Sequence, residues 1–265
     1  MNLYVYSVNS SHGKKKTIKY IESKLRRIYP DIISISYDNI DTIDLQDVSV
    51  LIFSGGDGIF NRIVNDCYYY DIQFGYIPTG TANDMGHNLG MKNVNTAIDI
   101  IRSKRIKKIK LLECITDTKT KYFLYALSIG RMSNISNNAK KEKKRLFGKF
   151  IYILRGCLYL FSKKELIKFN FGGNEYKDNV KCLIVTRSKY LGGMKIQKEY
   201  NDGLKVFLIH NILDIIKMFI FNKLKSFRVE KFEGRFDTCV SIDGEPMYIN
   251  HCIIKESKNE IKLFN

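Results

Sequence analysis

The sequence predicts a two-domain protein in which an α/β domain with a doubly wound parallel sheet precedes a β-rich domain with an antiparallel sandwich. Three observations support this fold class. With 265 residues the chain is long enough for one large domain or two modest ones, and with 45% hydrophobic residues it can bury a core. Strand-like and helix-like segments alternate up to about residue 110. Short β-rich segments spaced by turns follow from there.

The first domain, residues 1–110, consists of strands and helices that alternate along the chain. Strands are predicted at "LYVYSV", "DIISISY", "VSVLIFS" and "FGYIPTG", and helices at "KKTIKYIESKLRRI", "FNRIVNDC", "NDMGHNLGM" and "NTAIDIIRSK". Strands separated by helices imply a parallel, doubly wound sheet. The ligands of such a sheet lie beyond the carboxyl ends of its strands.

The second domain, residues 111–265, is predicted from its β-rich segments. These are "IKLLECIT", "KYFLYALSI", "IKFNFGG", "KCLIVTR", "LKVFLIH", "SFRVEKFEGRF", "CVSIDGE" and "YINHCIIKE", with helices at 147–161 and 211–224. This spacing is typical of an antiparallel sandwich or barrel. An alternative has the C-terminal end of the chain returning to the first domain.

The composition favours an anionic surface or ligand only mildly. Lys and Arg number 44 against 27 Asp and Glu, which gives a formal charge of +17. The abundance of Lys, Ile, Asn and Tyr, with scarce Pro and no Trp, is also what a nucleotide bias of the coding genome produces. No recognition motif accompanies the charge, so a nucleic-acid partner is not expected.

The cysteines and the start of the chain favour a cytoplasmic protein. The six cysteines are scattered, with no CxxC pair and no His at metal-ligand spacing, which is typical of buried thiols in a reducing compartment. The apolar run at the N-terminus is too short for a signal peptide. No apolar stretch reaches the length of a transmembrane span.

The stretch "LIFSGGDGIFNRIVND", residues 51–66, places a carboxylate among three glycines where a buried strand ends and a helix begins. Gly55, Gly56 and Gly58 suit a turn where the backbone must approach something closely. The helix N-terminus favours an anion, and Asp57 would repel a phosphate unless a cation lay between them, as in a magnesium nucleotide. Taken alone, an ordinary tight turn explains the glycines equally well.

A second turn with the same arrangement follows the next predicted strand. In "IPTGTANDMGHNLGM", Thr79 and Thr81 offer hydroxyls to phosphate or magnesium, and Gly80 lies between them. Asp84 is a second acid at the same sheet edge. Asn83 with Asp84 would also suit a helix cap, which is the structural alternative. Two such turns on adjacent strands favour a nucleotide site.

These motifs resemble those of the diacylglycerol kinase catalytic-domain family, which includes bacterial soluble diacylglycerol kinases, related lipid kinases and sphingosine kinases. "SGGDG", "PTGTAND" and "SIDGEPM" match the family's motifs in order, and "VNSSHGKKK" keeps its first loop without the proline. "LGGMKIQKEYNDGLKVFLI" resembles its glycine-rich strand followed by Asp-Gly-Leu. NAD kinases share the first motif but not the second in this form. The resemblance covers nearly the whole chain and implies an NAD kinase/diacylglycerol kinase-like nucleotide-binding domain.

The resemblance implies an ATP-dependent lipid kinase that uses Mg²⁺. The γ-phosphoryl group would pass to a lipid hydroxyl that enters a cleft between the domains, with diacylglycerol as the default acceptor and phosphatidic acid as the product. The residues that would line the nucleotide by this resemblance are Asn9, Ser10, Ser11, His12, Gly13, Gly55, Gly56, Asp57, Gly58, Ile59, Thr79, Gly80, Thr81 and Asn83.

The resemblance also assigns acidic residues to catalysis and to a structural magnesium site. Glu245 would accept the proton of the attacking hydroxyl, with Asp243 beside it. A hairpin turn is the structural alternative for "DGEP". The acids that would organise the catalytic magnesium or its water shell are Asp57 and Asp84. The expected ligands of the structural magnesium, for which a plain turn is the alternative, are Glu199, Asp202 and Leu204.

Two departures from the family's pattern leave other functions open. Ile59 stands where the family has Thr, so one hydroxyl near the phosphates is lost, and Asn138 stands where an acidic residue is expected. A degenerate member that binds nucleotide or lipid without catalysis is one alternative. An NAD kinase-like enzyme on a soluble acceptor is another, which the "GTAND" and Asp-Gly-Glu motifs oppose.

A lipid kinase works at a membrane surface, so a lipid partner and a peripheral position on the inner membrane face are expected. The segment "GKFIYILRGCLYLFSKK" has apolar residues flanked by lysines, which suits a surface-lying helix, although core packing explains it as well. The basic run "KKEKKR", residues 140–145, would be a solvated loop or a clamp on a phosphate or lipid headgroup. The sequence leaves open whether the chain forms a homodimer.

Overall fold

The computed structural model describes residues 1–8, 15–130, 164–171, 174–198, 203–243 and 245–265. The chain divides into two compact units. One consists of Met1–Leu111 with Lys258–Asn265, and the other of Leu112–Ser257. The helix that the sequence predicts at 147–161 lies outside the described residues.

The first unit is a parallel sheet with helices between its strands. Its strands are β1 (Asn2–Tyr6), β2 (Ile33–Ser36), β3 (Val50–Gly55) and β4 (Gln73–Pro78). Its helices are α1 (Lys15–Leu25), α2 (Asp57–Cys67), α3 (Asp84–Asn88) and α4 (Val94–Arg102), with short 3₁₀ helices at Tyr37–Thr42 and Leu45–Asp47. The strands lie in the order β2-β1-β3-β4, and all neighbours are parallel.

Helix α2 packs on this sheet through an apolar face of helical spacing. Its buried apolar side chains recur every third or fourth residue, at Phe60, Ile63, Val64 and Cys67. The Phe60 ring meets the rings of Phe53 in β3 and Tyr76 in β4 edge-on, with centroids 5.1 and 4.7 Å away. This packing fixes the start of α2 directly after the end of β3.

The second unit is rich in antiparallel strands. It contains part or all of β5 (Ile106–Ile115), β6 (Thr120–Phe123), β7 (Ala126–Ile129), β8 (Glu165–Phe171), β9 (Asn174–Val180), β10 (Cys182–Thr186), β11 (Tyr190–Leu191), β12 (Met194–Lys195), β13 (Leu204–Ile209), β14 (Ser226–Val229), β15 (Lys231–Ile242) and β16 (Glu245–Phe264), with one helix, α5 (Ile212–Phe219). Neighbours in the order β14-β13-β10-β7-β15-β16 are antiparallel. The end of β16 belongs to the first unit, where Lys262 pairs in parallel with Gln73 of β4.

The predicted fold class, a doubly wound α/β domain followed by an antiparallel β domain, is confirmed. The second unit has its own core, whose fully buried members include Leu127, Leu183, Val206, Phe232 and Ile254. Within the part of the chain that the structure describes, none of the helices combines the length and apolarity needed to span a bilayer.

Several predicted boundaries were wrong. The β-rich segment "KYFLYALSI" contains two strands, β6 and β7, because the N–H groups of Leu124 and Tyr125 bond to the Asp243 side chain instead of a neighbouring strand. "SFRVEKFEGRF" is likewise split into β14 and β15. Strand β9 was not predicted, because "NEYKDNV" is polar and mostly exposed. The helix predicted at 211–224 ends at Phe219, and α2 begins at Asp57, three residues before the predicted start.

Candidate active site

The carboxyl ends of β3 and β4 bring two glycine-containing turns together. We call residues 55–59 the Gly55 turn and residues 79–84 the Thr79 turn. Gly55 lies in register with Pro78 on the parallel neighbour, and the Thr79 N–H donates to the Gly55 carbonyl with N and O 2.9 Å apart. The two turns therefore leave the same edge of the sheet side by side.

The two turns touch through glycine backbone. A Cβ placed on Gly80 would lie 2.5 Å from the Gly56 Cα, closer than real Cβ contacts allow. The same Cβ would lie 2.6 Å from the Asn83 side-chain oxygen. Only glycine therefore fits at position 80 without movement of its neighbours. The bare backbone of these turns suits the close approach of a phosphate group.

Asn83 fixes the shape of the Thr79 turn. Its backbone is left-handed, with φ of 51°, a region that Asn tolerates better than most residues. The side-chain Oδ1 accepts the Gly80 N–H and Nδ2 donates to the Gly80 carbonyl, each at 2.9 Å. The buried Tyr76 hydroxyl donates to the Gly55 carbonyl at 3.2 Å. Burial, followed by the nearby carboxylates of Asp57 and Asp84, raises the pKa of Tyr76 well above its usual value.

Asp57 of the Gly55 turn caps helix α3 of the Thr79 turn. Its Oδ2 accepts the Asp84 N–H and its Oδ1 accepts the Met85 N–H, each at 3.0 Å. Asn83 occupies the N-cap position of α3, but its side chain makes no capping hydrogen bond. The alternative in which the Asn83 side chain caps this helix is therefore wrong. A carboxylate suits the cap because it meets two N–H donors and the positive end of the helix.

The remaining predicted residues of the two turns lie at the same edge of the sheet. Gly58 and Ile59 are the second and third residues of α2, and Ile59 lies directly against Gly55. Thr79 and Asp84 are buried, whereas Thr81 is half-buried. Magnesium bound with a nucleotide needs only one or two protein carboxylates beside the phosphates, and this edge of the sheet has two.

In the second unit, Asp243 is a buried anchor for the chain between β6 and β7. Its Oδ2 accepts the Leu124 N–H at 2.8 Å, and its Oδ1 accepts the N–H groups of Tyr125 and Ala126 at 3.1 and 3.0 Å. Its own N–H donates to the Ala126 carbonyl at 2.9 Å. The Asp243 side chain is only 2% exposed, so these bonds satisfy a carboxylate that water does not reach.

Glu245 begins β16 immediately after this anchor. Ile242, the last residue of β15, pairs with Glu245, the first residue of β16, and Asp243 has a left-handed φ of 46°. The hairpin alternative for "DGEP" thus describes the backbone here. A hairpin is compatible with a role for Glu245, because it holds this half-buried side chain at a fixed strand end.

Arg187 and Thr186, which the sequence analysis did not identify, donate hydrogen bonds to carbonyl groups of the same segment between β6 and β7. Arg187 Nε donates to the Leu124 carbonyl at 2.9 Å, and Thr186 Oγ1 donates to the Tyr125 carbonyl at 2.6 Å. Arg187 is 1% exposed. A charged residue that directly follows the apolar run "CLIV" and a threonine was the available signal, since buried Arg is rare without specific partners.

Residues 8–114 match the model described as the diacylglycerol kinase catalytic domain. A protein from Staphylococcus carnosus that is provisionally named a lipid kinase is 31% identical over 234 residues, which are 79% of this chain and 74% of that protein. The chain belongs to the diacylglycerol kinase catalytic-domain family. Membership in this kinase family supports a phosphotransferase.

This kinase-family chain is also similar to a second curated relative and to solved structures that share its fold. A Bacillus subtilis diacylglycerol kinase is 25% identical over 168 residues, which are 60% of this chain and only about half, 54%, of that protein's length. A crystal structure of a Bacillus anthracis diacylglycerol kinase has the same fold, with a TM-score of 0.79 at 22% identity, covering 99% of this chain and 95% of that one. An Archaeoglobus fulgidus NAD kinase solved with ATP has a TM-score of 0.58 at 15% identity, covering 100% and 94% of the chains.

Several residues assigned by the family resemblance lie outside the described residues. The first loop of this kinase-family chain, Asn9, Ser10, Ser11, His12 and Gly13, lies outside the described residues, as do Asn138, Glu199 and Asp202. Leu204 is described, and it begins β13, where it pairs with Val229 and is buried. Among the residues that the structure describes, no group of three or more His, Cys, Asp or Glu side chains could hold a metal ion.

Proposed function

We propose that the protein is an ATP-dependent lipid kinase that transfers the γ-phosphoryl group to a lipid hydroxyl, with diacylglycerol as the acceptor and phosphatidic acid as the product. The observation that carries the proposal is the contact of Gly56 with Gly80 in a chain of the diacylglycerol kinase family. A turn pair of bare backbone beside two carboxylates suits a magnesium nucleotide. The proposed reaction takes place at the cytoplasmic face of a membrane.

In this proposal the first unit binds the nucleotide. ATP supplies the phosphoryl group, and Mg²⁺ neutralises charge that develops on the phosphates. Backbone N–H groups at the start of α2, after its N-cap Gly56, face the phosphates, and Thr79 with Thr81 adds hydroxyl donors. Asp84 is the carboxylate assigned to magnesium. Asp57 acts as a positioning residue, because its two oxygens hold the backbone of the Thr79 turn.

The second unit supplies the base. Glu245 accepts the proton of the attacking lipid hydroxyl, since a carboxylate within hydrogen-bond reach of that hydroxyl is sufficient for this step. Asp243 is assigned a positioning role instead of a catalytic one. Its carboxylate already accepts three backbone N–H bonds, and it holds the hairpin from which Glu245 starts.

The test is transfer of phosphate from radiolabelled ATP to a total lipid extract in mixed micelles with magnesium. Wild type is compared with Glu245→Gln and with Glu260→Gln, a matched change of a surface glutamate that pairs with Lys108. We expect a labelled lipid with wild type and Glu260→Gln and its loss with Glu245→Gln. Chromatography identifies the product, and phosphatidic acid is expected.

Two other outcomes correspond to the alternatives. ATP binding without label in any lipid indicates a degenerate member, for which the Ile59 replacement is the specific observation. In a parallel reaction to which NAD is added, label that appears on NAD instead of on lipid indicates an NAD kinase-like enzyme. Thermal shifts measured with ATP and with NAD separate these two, because a ligand that binds only the folded state raises its stability.

A further inference from the structure

Helix α5 and the turn after it present an apolar face to solvent. Ile212 is 46% exposed, Leu213 58%, Ile220 68% and Phe221 58%. Leu213 and the C-cap residue Ile220 are about two helical turns apart, so they share one side of the helix, and Phe221 follows in the turn after it. Four large apolar side chains exposed on one short segment are a feature that marks interaction sites.

The opposite face of α5 packs into the hydrophobic core of its unit. Met218 is fully buried in a hydrophobic cluster with Ile184, Phe207 and Ile209, and Phe219 packs against that cluster. Core packing therefore explains the inner apolar residues but not the outer ones. A helix that is apolar on two sides normally buries each of them against another surface.

The charges that accompany this face are positive. Lys217, Lys223 and Lys225 are exposed on or directly after α5. The acid of the helix, Asp214, is 9% exposed and its Oδ2 accepts the His210 N–H at 2.9 Å, so it is directed into the protein. Apolar side chains with lysines around them match a surface that is apolar inside and anionic at its rim.

We propose that this face, the α5 surface (Ile212, Leu213, Lys217, Ile220, Phe221 and Lys223), docks on an anionic lipid bilayer. The apolar side chains insert at the headgroup boundary while the lysines contact the anionic headgroups. The choice of a lipid surface over a protein partner rests on the proposed function as well as on charge complementarity. The residues of this surface are not those of the segment "GKFIYILRGCLYLFSKK", for which sequence alone suggested membrane contact.

Co-sedimentation of the full chain with vesicles, without ATP, tests the proposal. Vesicles of phosphatidylcholine are compared with vesicles that also contain phosphatidylglycerol. The variant Leu213→Ser/Phe221→Ser is compared with Leu166→Ser/Tyr248→Ser, which removes the same number of exposed leucines and aromatic residues from the same unit, at 46% and 86% exposure. We expect wild type and the control to bind anionic vesicles. The α5 variant is expected to bind them at least about tenfold more weakly.

A fluorescent probe keeps the test independent of how well the double variant folds. The sequence contains no Trp, so Leu213→Trp creates a single reporter on the α5 surface. Its emission is expected to shift to the blue when anionic vesicles are added, and brominated lipids are expected to quench it. Leu166→Trp is the matched control and is expected to show neither change.

The outcomes are distinct. Equal vesicle binding by wild type and the Leu213→Ser/Phe221→Ser variant, with no shift of the tryptophan emission in the Leu213→Trp protein, overturns the proposal. A concentration-dependent dimer that the same double variant abolishes also overturns it, because the α5 surface would then face a second copy of the chain. Vesicle binding through α5 without any phosphate transfer would leave this inference standing and remove the proposed function. Phosphate transfer without α5-dependent binding would do the reverse.

Discussion

The carboxylate of Asp57 accepts the backbone N–H of Asp84, with 3.0 Å between Oδ2 and the nitrogen. This bond joins the Gly55 turn to the first residue of helix α3. It also explains why one carboxylate stands among the glycines of "SGGDG". The first N–H groups of α3 need an acceptor, and the side chain of its own N-cap, Asn83, is already bonded to Gly80.

The first prediction concerns this cap. Asp57→Asn turns one acceptor oxygen into an NH₂ donor that faces a backbone N–H, so the variant is expected to lose about 1–2 kcal/mol of unfolding free energy. The KM for ATP is expected to rise because the Thr79 turn loses its support. Urea denaturation and steady-state kinetics measure the two effects. Asp99→Asn, at an exposed site paired with Arg102, is the control and is expected to change neither. An Asp57→Asn protein with wild-type stability would contradict the capping role.

The second prediction concerns the contact between the two turns. Gly80→Ala places a methyl group 2.5 Å from the Gly56 Cα, so backbone must move, and a loss of about 1–3 kcal/mol with weakened ATP binding is expected. Gly90→Ala is the matched control. Its φ of +76° makes alanine strained, yet no atom lies within 4 Å of the added methyl. It is expected to lose about 1 kcal/mol while keeping its ATP affinity, as measured by calorimetric titration.

The third prediction separates positioning from catalysis in the second unit. In Asp243→Asn, the side-chain NH₂ group takes the place of one acceptor oxygen and faces a backbone N–H, so two donors oppose each other. The variant is therefore expected to lose about 2–4 kcal/mol of unfolding free energy. Glu245→Gln is expected to abolish phosphate transfer with little change in the urea midpoint. Asp237→Asn, at an exposed position of the same strand β15, serves as the control for the first variant. The assignment fails if Asp243→Asn is as stable as wild type.

The fourth prediction concerns acid pH. A hydrogen bond with His251 lowers the pKa of Glu233 below its ordinary value, with Lys231 adding to the effect. Because the folded-state pKa is the lower one, the stabilisation is present above the ordinary glutamate pKa and is lost as the pH falls through the folded value. His251→Phe is expected to raise the Glu233 pKa in an NMR titration of the carboxyl carbon. His210→Phe, which breaks a pair with Asp178 instead, is expected to leave it unchanged.

The sequence predicted the fold because periodicity and turn chemistry are local. Buried runs such as "VLIFS" and the helical spacing from Phe60 to Cys67 are visible without tertiary information. The join between the two turns was partly predictable, since parallel strands end at one edge of a sheet. What the sequence could not show is which atoms bond. Asp57 and Asp84 are 27 residues apart, and Asp243 and Leu124 are 119 apart. The split of "KYFLYALSI" depends on the second of these pairs, so no local pattern predicts it.

The last prediction concerns Ile59, where the family's pattern has Thr. Ile59 is the third residue of α2 and lies against Gly55, so its side chain is at the edge of the proposed phosphate site. Ile59→Thr restores a hydroxyl donor, and one added hydrogen bond of about 0.5–1.5 kcal/mol corresponds to a rise in kcat/KM for ATP of about twofold to thirteenfold.

Ile59→Val is the matched control for this change, because valine has the shape of threonine without the hydroxyl, and it is expected to leave kcat/KM near the wild-type value. A gain with both variants would attribute the effect to the smaller side chain against Gly55. The absence of a gain with Thr would mean that position 59 does not reach the phosphates. If wild type transfers no phosphate but the Thr variant does, the replacement at position 59 is what separates this chain from active members of its family.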